Sequence, residues 1–81
     1  MLDRTELLKE LRQTFNIDVS SIDDDTRLVS EGLLDSFSLV ELVAFIERRC
    51  EFRFAPTEVS LDNLDSISRI LRFIDEKHRG A

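Results

Sequence analysis

The sequence predicts an all-α fold: a small bundle of three main helices with one short helical turn between the last two. Two observations carry this reading. Apolar residues recur at helical spacing in three separate stretches, around Leu7, Leu42 and Ile70. With 2 Gly and 1 Pro, the chain holds few residues for tight turns. A length of 81 residues then sets the scale, one domain over 1–81, too short for two domains or a barrel enzyme.

The first helix is expected from about Asp3 to Phe15. Asp3 followed three residues later by Glu6 reads as a capping box. Leu7, Leu8, Leu11 and Phe15 make one apolar face. A long connection follows, from Asn16 to Asp35. Isolated apolar residues (Ile17, Val19, Ile22, Leu28, Val29, Leu33, Leu34) punctuate it and favour an ordered loop pinned to the core. The run Asp23-Asp24-Asp25 reads as a solvated turn, because it lacks the alternating ligands and closing Glu of a calcium loop.

The second helix is expected from Ser36 to about Cys50, with Asp35 or Ser36 at its N-cap. On a wheel of about 100° per residue, Leu39, Leu42, Val43, Ile46 and Cys50 fall on one side, the core face. Phe37, Val40 and Ala44 fall nearly opposite, beside Glu41 and Arg48. An 81-residue chain has too little protein to cover both sides, so the second stripe is free for a partner. Glu51-Phe52-Arg53-Phe54 alternates polar and apolar residues and reads as a short extended link. Pro56 suits the start of a brief helical turn near Thr57 to Ser60. The last helix is expected from Asp65 or Ser66 to about Lys77, capped by Asp65, with Ile67, Ile70, Leu71 and Ile74 inward. Lys77, His78 and Arg79 suit its negative end, and Gly80 ends the helical pattern.

Charge and composition narrow the function. Seventeen acids against eleven bases leave a net charge of −6. That balance disfavours nucleic acid, whose phosphates need clustered Lys and Arg, and favours protein partners with basic docking surfaces. No run of about 18 apolar residues is present to span a membrane. The first residues, Met1 to Leu7, are charged and lack the apolar core of a signal peptide, so the expected location is the cytoplasm. One Cys and one His leave no disulfide and none of the usual zinc sites. Cys50 is read as a packing thiol and His78 as a helix-end charge. No catalytic residue is expected, because so small a bundle offers little room for a pocket.

The distinctive stretch is Gly32-Leu33-Leu34-Asp35-Ser36-Phe37. It places a serine in the first turn of an amphipathic helix, after a long loop. Asp-Ser is also an ordinary N-cap pair. The same physics supports a second reading, since the free N–H groups and positive dipole end of a helix stabilise a phosphate attached there. The residues alone leave open a modified carrier, an unmodified interaction module and a small serine hydrolase. The last would need a basic partner beside Ser36, and the nearby sequence holds none.

Asp35-Ser36-Phe37, followed by Leu39-Val40-Glu41-Leu42-Val43, resembles the acyl carrier protein family. The resemblance spans nearly the whole chain. It implies a four-helix bundle of the acyl-carrier type, with 4′-phosphopantetheine transferred from coenzyme A to Ser36 by a separate Mg²⁺-dependent phosphopantetheinyl transferase. It implies that the arm's thiol holds an acyl or aminoacyl group as a thioester, while the chain itself catalyses nothing. Asp35 would orient the modifying enzyme, and Phe37, Val40, Glu41, Ala44 and Glu47 would form the docking face. Gly32 lies four residues before Ser36, whereas many fatty-acid carriers place a glycine three before the serine. In this the segment looks more like the stand-alone aminoacyl carriers, the D-alanyl carriers among them. Phe37 stands where Leu or Met is commoner, and Glu47-Arg48-Arg49 adds two bases where fatty-acid carriers tend to be acidic. The cargo expected from this is an amino acid activated by a separate adenylating ligase and passed to a downstream acyl-transfer enzyme. A fatty-acyl or polyketide carrier is the alternative. The chain is expected to be a monomer.

Overall fold

In the computed structural model, which describes residues 2–80, the first helix, α1, runs Arg4–Gln13. Asp3 caps it: its carboxylate accepts the Glu6 N–H at 2.8 Å. The return half of the expected capping box is not made, because Glu6 pairs instead with Arg49 of the second helix. Leu7 and Leu11 are fully buried, with Leu8 and Phe15 packed at the margin. The helix stops two residues before Phe15. Asn16 takes the left-handed conformation (φ 60), which asparagine tolerates, and the Ile17 N–H donates to the Leu11 carbonyl at 3.1 Å.

The connection to α2 is ordered throughout its course. Asp18 caps a single 3₁₀ turn at Val19–Ser21. The three aspartates are not a plain solvated turn, as each has a structural partner. Asp23 accepts the Asp25 N–H at 2.9 Å, Asp24 binds the Arg4 guanidinium at 2.6–3.0 Å, and Asp25 accepts the Ser68 hydroxyl at 3.0 Å. The Ser68 N–H also donates to the Asp24 carbonyl at 2.9 Å, so this segment ties the start of α1 to the last helix. Among the described residues no group of three or more His, Cys, Asp or Glu is arranged to hold a metal ion.

The second helix, α2, covers Ser36–Cys50 with Asp35 as its N-cap. Leu42, Ile46 and Cys50 are buried, and Leu39 and Val43 pack against the core's edge. Glu51 closes α2 in the left-handed region (φ 57), its N–H donating to the Glu47 carbonyl at 2.9 Å. Beyond it Phe52 and Phe54 turn inward against Phe73, with ring centroids 6.1 and 4.8 Å away.

The short helical element is displaced from its expected place. Pro56 does start a turn, but it is a 3₁₀ turn that ends at Glu58, whose carboxylate reaches back to the Ala55 N–H at 2.7 Å. Ser60 is extended, and the short helix itself, α3, is Leu61–Leu64. The last helix, α4, runs Ile67–Gly80, one residue later at its start and three further at its end than the pattern suggested. Ser66 caps it, accepting the Arg69 N–H at 3.1 Å. Asp65, expected in that role, ends α3 and faces elsewhere. Ile67, Ile70 and Ile74 enter the core as expected, joined by Phe73, with Leu71 at its margin. The described residues hold four α-helices, two 3₁₀ turns and no strand. None of these helices is long and apolar enough to cross a membrane.

Candidate functional site

The site is built from the end of the long connection and the first turn of α2. Gly32 sits at φ +82, a conformation that costs an L-residue about 1–2 kcal/mol. A Cβ there would meet nothing within 4 Å, so the backbone angle and not space calls for glycine. Gly32→Ala is accordingly expected to lower stability by about 1 kcal/mol, measured by denaturant melts, without displacing any neighbour. Leu34 is buried and its N–H donates to the Leu28 carbonyl at 2.8 Å, which pins the chain one residue before the cap. Leu33 between them faces outward.

Asp35 then directs the helix start. Its carboxylate accepts the Ser38 N–H at 2.8 Å and its carbonyl accepts the Leu39 N–H at 2.9 Å. Hydrogen bonding from Ser38 holds this carboxyl below the usual aspartate range, so it is ionised at neutral pH. Ser36, the first helical residue, is exposed. Among the described residues nothing bonds to its hydroxyl. Asp35 does the capping, which leaves the Ser36 Oγ free above the positive end of a 15-residue helix. These features fit a phosphate ester. The oxygen is accessible, and the helix end favours the added negative charge.

The outward stripe of α2 is where the wheel put it. Phe37 is 82% exposed and Val40 68%, with Glu41 also exposed and Ala44 half-buried. Glu41, Ala44 and Arg48 join Glu10 of α1 and Thr14 just beyond its end around a shallow groove of about 260 Å³. Glu47, half-buried, lines a neighbouring groove with Ala44 and Arg48. Its carboxylate accepts the Phe54 N–H at 2.8 Å and so holds the chain after α2. Of the two bases beside it, Arg49 pairs with Glu6, and Arg48 alone remains on the exposed face. Cys50 is buried, and exposed His78 lies against Phe52, ring centroids 5.8 Å apart. Cys50 lies at the opposite end of α2 from Ser36.

One part of the site escaped the sequence. Asp65 is 0% exposed, and its carboxylate accepts the N–H groups of Val29 and Ser30 and the Ser30 hydroxyl. Burial alone would raise its pKa. The bonds from Ser30 and Val29 and the charge of Arg27 outweigh that and hold it below the usual range. The only sequence signal was a surplus of capping residues, Asp65 beside Ser66, where one helix start needs one cap.

Comparison with known proteins identifies a family. Residues 5–74 match the family described as "Phosphopantetheine attachment site". Similar proteins include the D-alanyl carrier protein of Abiotrophia defectiva, 32% identical over 72 residues, covering 89% of this chain and 91% of that protein. The D-alanyl carrier protein of Bacillus subtilis (strain 168) is 32% identical over 73 residues, covering 90% and 94%. That of Streptococcus sanguinis (strain SK36) is 29% identical over 73 residues, covering 90% and 91%. With an all-helical four-helix fold and a match over most of its length, the chain belongs to the phosphopantetheine attachment family: it is a carrier protein whose prosthetic group is 4′-phosphopantetheine.

Proposed function

We propose that Ser36 Oγ carries the 4′-phosphopantetheine arm and that the cargo is an amino acid, D-alanine by similarity to the relatives named above. The observation that carries the site is the exposed, unengaged Ser36 hydroxyl at the first residue of α2, beside a cap already made by Asp35. A phosphopantetheinyl transferase supplies the arm from coenzyme A. The new bond from Oγ to phosphorus replaces the bond that joined the arm's phosphate to the adenosine half of coenzyme A. When attached, the arm supplies a thiol that holds a carboxylic acid as a thioester.

The chain itself then has two tasks, to fix the position of Ser36 and to offer a docking face. Phe37, Val40, Glu41 and Ala44 form that face, with Asp35 at its near end. It suits partners that bring an apolar pocket and a basic rim: the transferase, an adenylating ligase that loads the amino acid, and a downstream acyl-transfer enzyme. Glu47 borders this face beside Ala44 and Arg48, its carboxylate also holding the Phe54 N–H. Residues 1–81 act as one carrier domain, a monomer in the cytoplasm, and catalyse nothing themselves.

Incubation with coenzyme A, Mg²⁺ and a broad-specificity phosphopantetheinyl transferase is expected to add about 340 Da, one arm. Intact-mass measurement checks it. Ser36→Ala is expected to gain nothing, and an arm on that variant places the attachment at another residue. Recovery from cells of fatty acyl groups alone on the arm overturns the amino-acid cargo.

A further inference from the structure

Asp65 lies 29 residues after Ser36 in sequence, at the joint between α3 and α4. Its backbone carbonyl accepts the Leu28 N–H at 2.7 Å. Its Oδ1 accepts Val29 N–H at 2.7 Å and Ser30 N–H at 3.0 Å, and its Oδ2 accepts the Ser30 hydroxyl at 2.6 Å. Three successive residues of the connection thus hang on one buried side chain and its own backbone. Those residues and Arg27 in turn hold the rest. Glu31 N–H donates to the Arg27 carbonyl at 2.9 Å, Gly32 N–H to Val29 at 3.0 Å and Leu34 N–H to Leu28 at 2.8 Å. Asp35 and Ser36 follow directly. A continuous set of hydrogen bonds therefore runs from the α3–α4 joint to the start of α2.

We infer that Asp65 is a positioning residue for chemistry at Ser36: by gripping Leu28, Val29 and Ser30 it fixes the segment that sets the direction of Asp35 and of the Ser36 hydroxyl. The inference rests on the assignment of Ser36 as the attachment point. Its physical basis is that transfer to a hydroxyl depends steeply on where that oxygen sits within the bound complex. A free oxygen at a helix end has no side chain of its own to steady it, so the backbone leading to it must do so. Ser30 supplies the second half of the grip, since its hydroxyl occupies the carboxylate oxygen that the backbone N–H groups leave free.

The test uses the whole chain with Asp65→Asn, which keeps an oxygen for the two N–H groups but loses the charge. Steady-state arm transfer from coenzyme A is measured with the variant as the varied substrate, beside amide hydrogen exchange. A change in stability alone lowers the fraction of folded carrier, which raises apparent KM and leaves kcat unchanged. A positioning role lowers kcat itself. The expected result is a kcat lower by about tenfold, with exchange of residues 28–34 faster by about tenfold and that of α1 unchanged. Unchanged kcat and unchanged exchange in 28–34 overturn the inference. Should Asp65→Asn not fold, Ser30→Ala decides, since it removes one bond and keeps the buried carboxylate. It is expected to lower kcat by about threefold and to speed exchange in the same segment, and no change in either overturns the inference. Failure of the wild type to take an arm, or an arm on Ser36→Ala, overturns the Ser36 assignment itself, and the inference falls with it.

Discussion

Leu42→Asp is expected to abolish the cooperative thermal transition of the chain, whereas Val40→Asp, two residues away on the same helix, is expected to melt within a few degrees of the parent. Leu42 is 0% exposed. Its replacement gives up about 2–3 kcal/mol of apolar burial and adds the cost of a buried, unpaired carboxylate, several kcal/mol more. The whole stability of a domain this size is about 4–12 kcal/mol, so the folded state is lost. Val40 is 68% exposed, and a change at such a site is worth about 0.5 kcal/mol. At about 4–8 °C per kcal/mol for a domain of this length, that is a shift of a few degrees. Far-UV circular dichroism on heating separates the two. Val40→Asp is nonetheless expected to slow loading, because it puts a charge into the apolar centre of the proposed docking face. If the two variants exchange behaviour, the inward and outward sides of α2 are reversed.

Asp65→Ala is expected to cost about 3 kcal/mol or more, because it leaves two N–H groups and a hydroxyl without their charged acceptor. For a domain of this length that lowers the melting midpoint by about 12–24 °C. The same group gives stability a dependence on acid. Its folded pKa lies below the ordinary aspartate value, so the ionised form is the one that folding favours. The contribution is therefore fully present above about pH 4 and is lost as pH falls from there through the depressed folded value. Asp24, Asp35 and Glu58 shift in the same direction and add to the acid slope from the surface. The measurement is thus a difference: wild type loses stability more steeply below about pH 4 than Asp65→Asn does. Equal slopes mean that the charge on Asp65 plays no part in the grip.

The parts of the fold that could be read from sequence are those set by local periodicity. α2 begins and ends where its pattern predicted, because one apolar stripe of five residues agrees with a cap at Asp35 or Ser36, and the cap is Asp35. The exposure of Phe37 and Val40 followed from the same wheel. The stretch from Pro56 to Ile67 was harder. Ser60, Asp62, Asn63, Asp65 and Ser66 are all competent caps within seven residues, and a four-residue helix is too short to show a period. Which cap serves which helix is decided by tertiary partners. Asp65 is taken by N–H groups 35 and 36 positions away, and Ser66 is left to start α4. Two charged residues on α2 have partners that no local pattern shows. Phe54 and Glu6 reach Glu47 and Arg49 only after the chain has folded back. The exposure of Ser36 at the start of α2 was legible because, among the described residues, no distant group bonds to its hydroxyl.

The hydrogen-bonded connection before α2 also bears on how the chain tolerates a change of length. Surface loops usually absorb inserted residues, since their backbone groups face water and lose nothing when the path lengthens. Between Arg27 and Leu34 the amides of Leu28, Val29, Ser30, Glu31, Gly32 and Leu34 all have acceptors within the protein. An inserted residue there shifts every later donor off its acceptor and moves the buried Leu34 out of register with the core. Exposed side chains such as Leu33 are open to exchange; the number of residues is not. For engineering, that stretch behaves as a rigid strut of fixed length, so peptide tags and spectroscopic labels belong outside it.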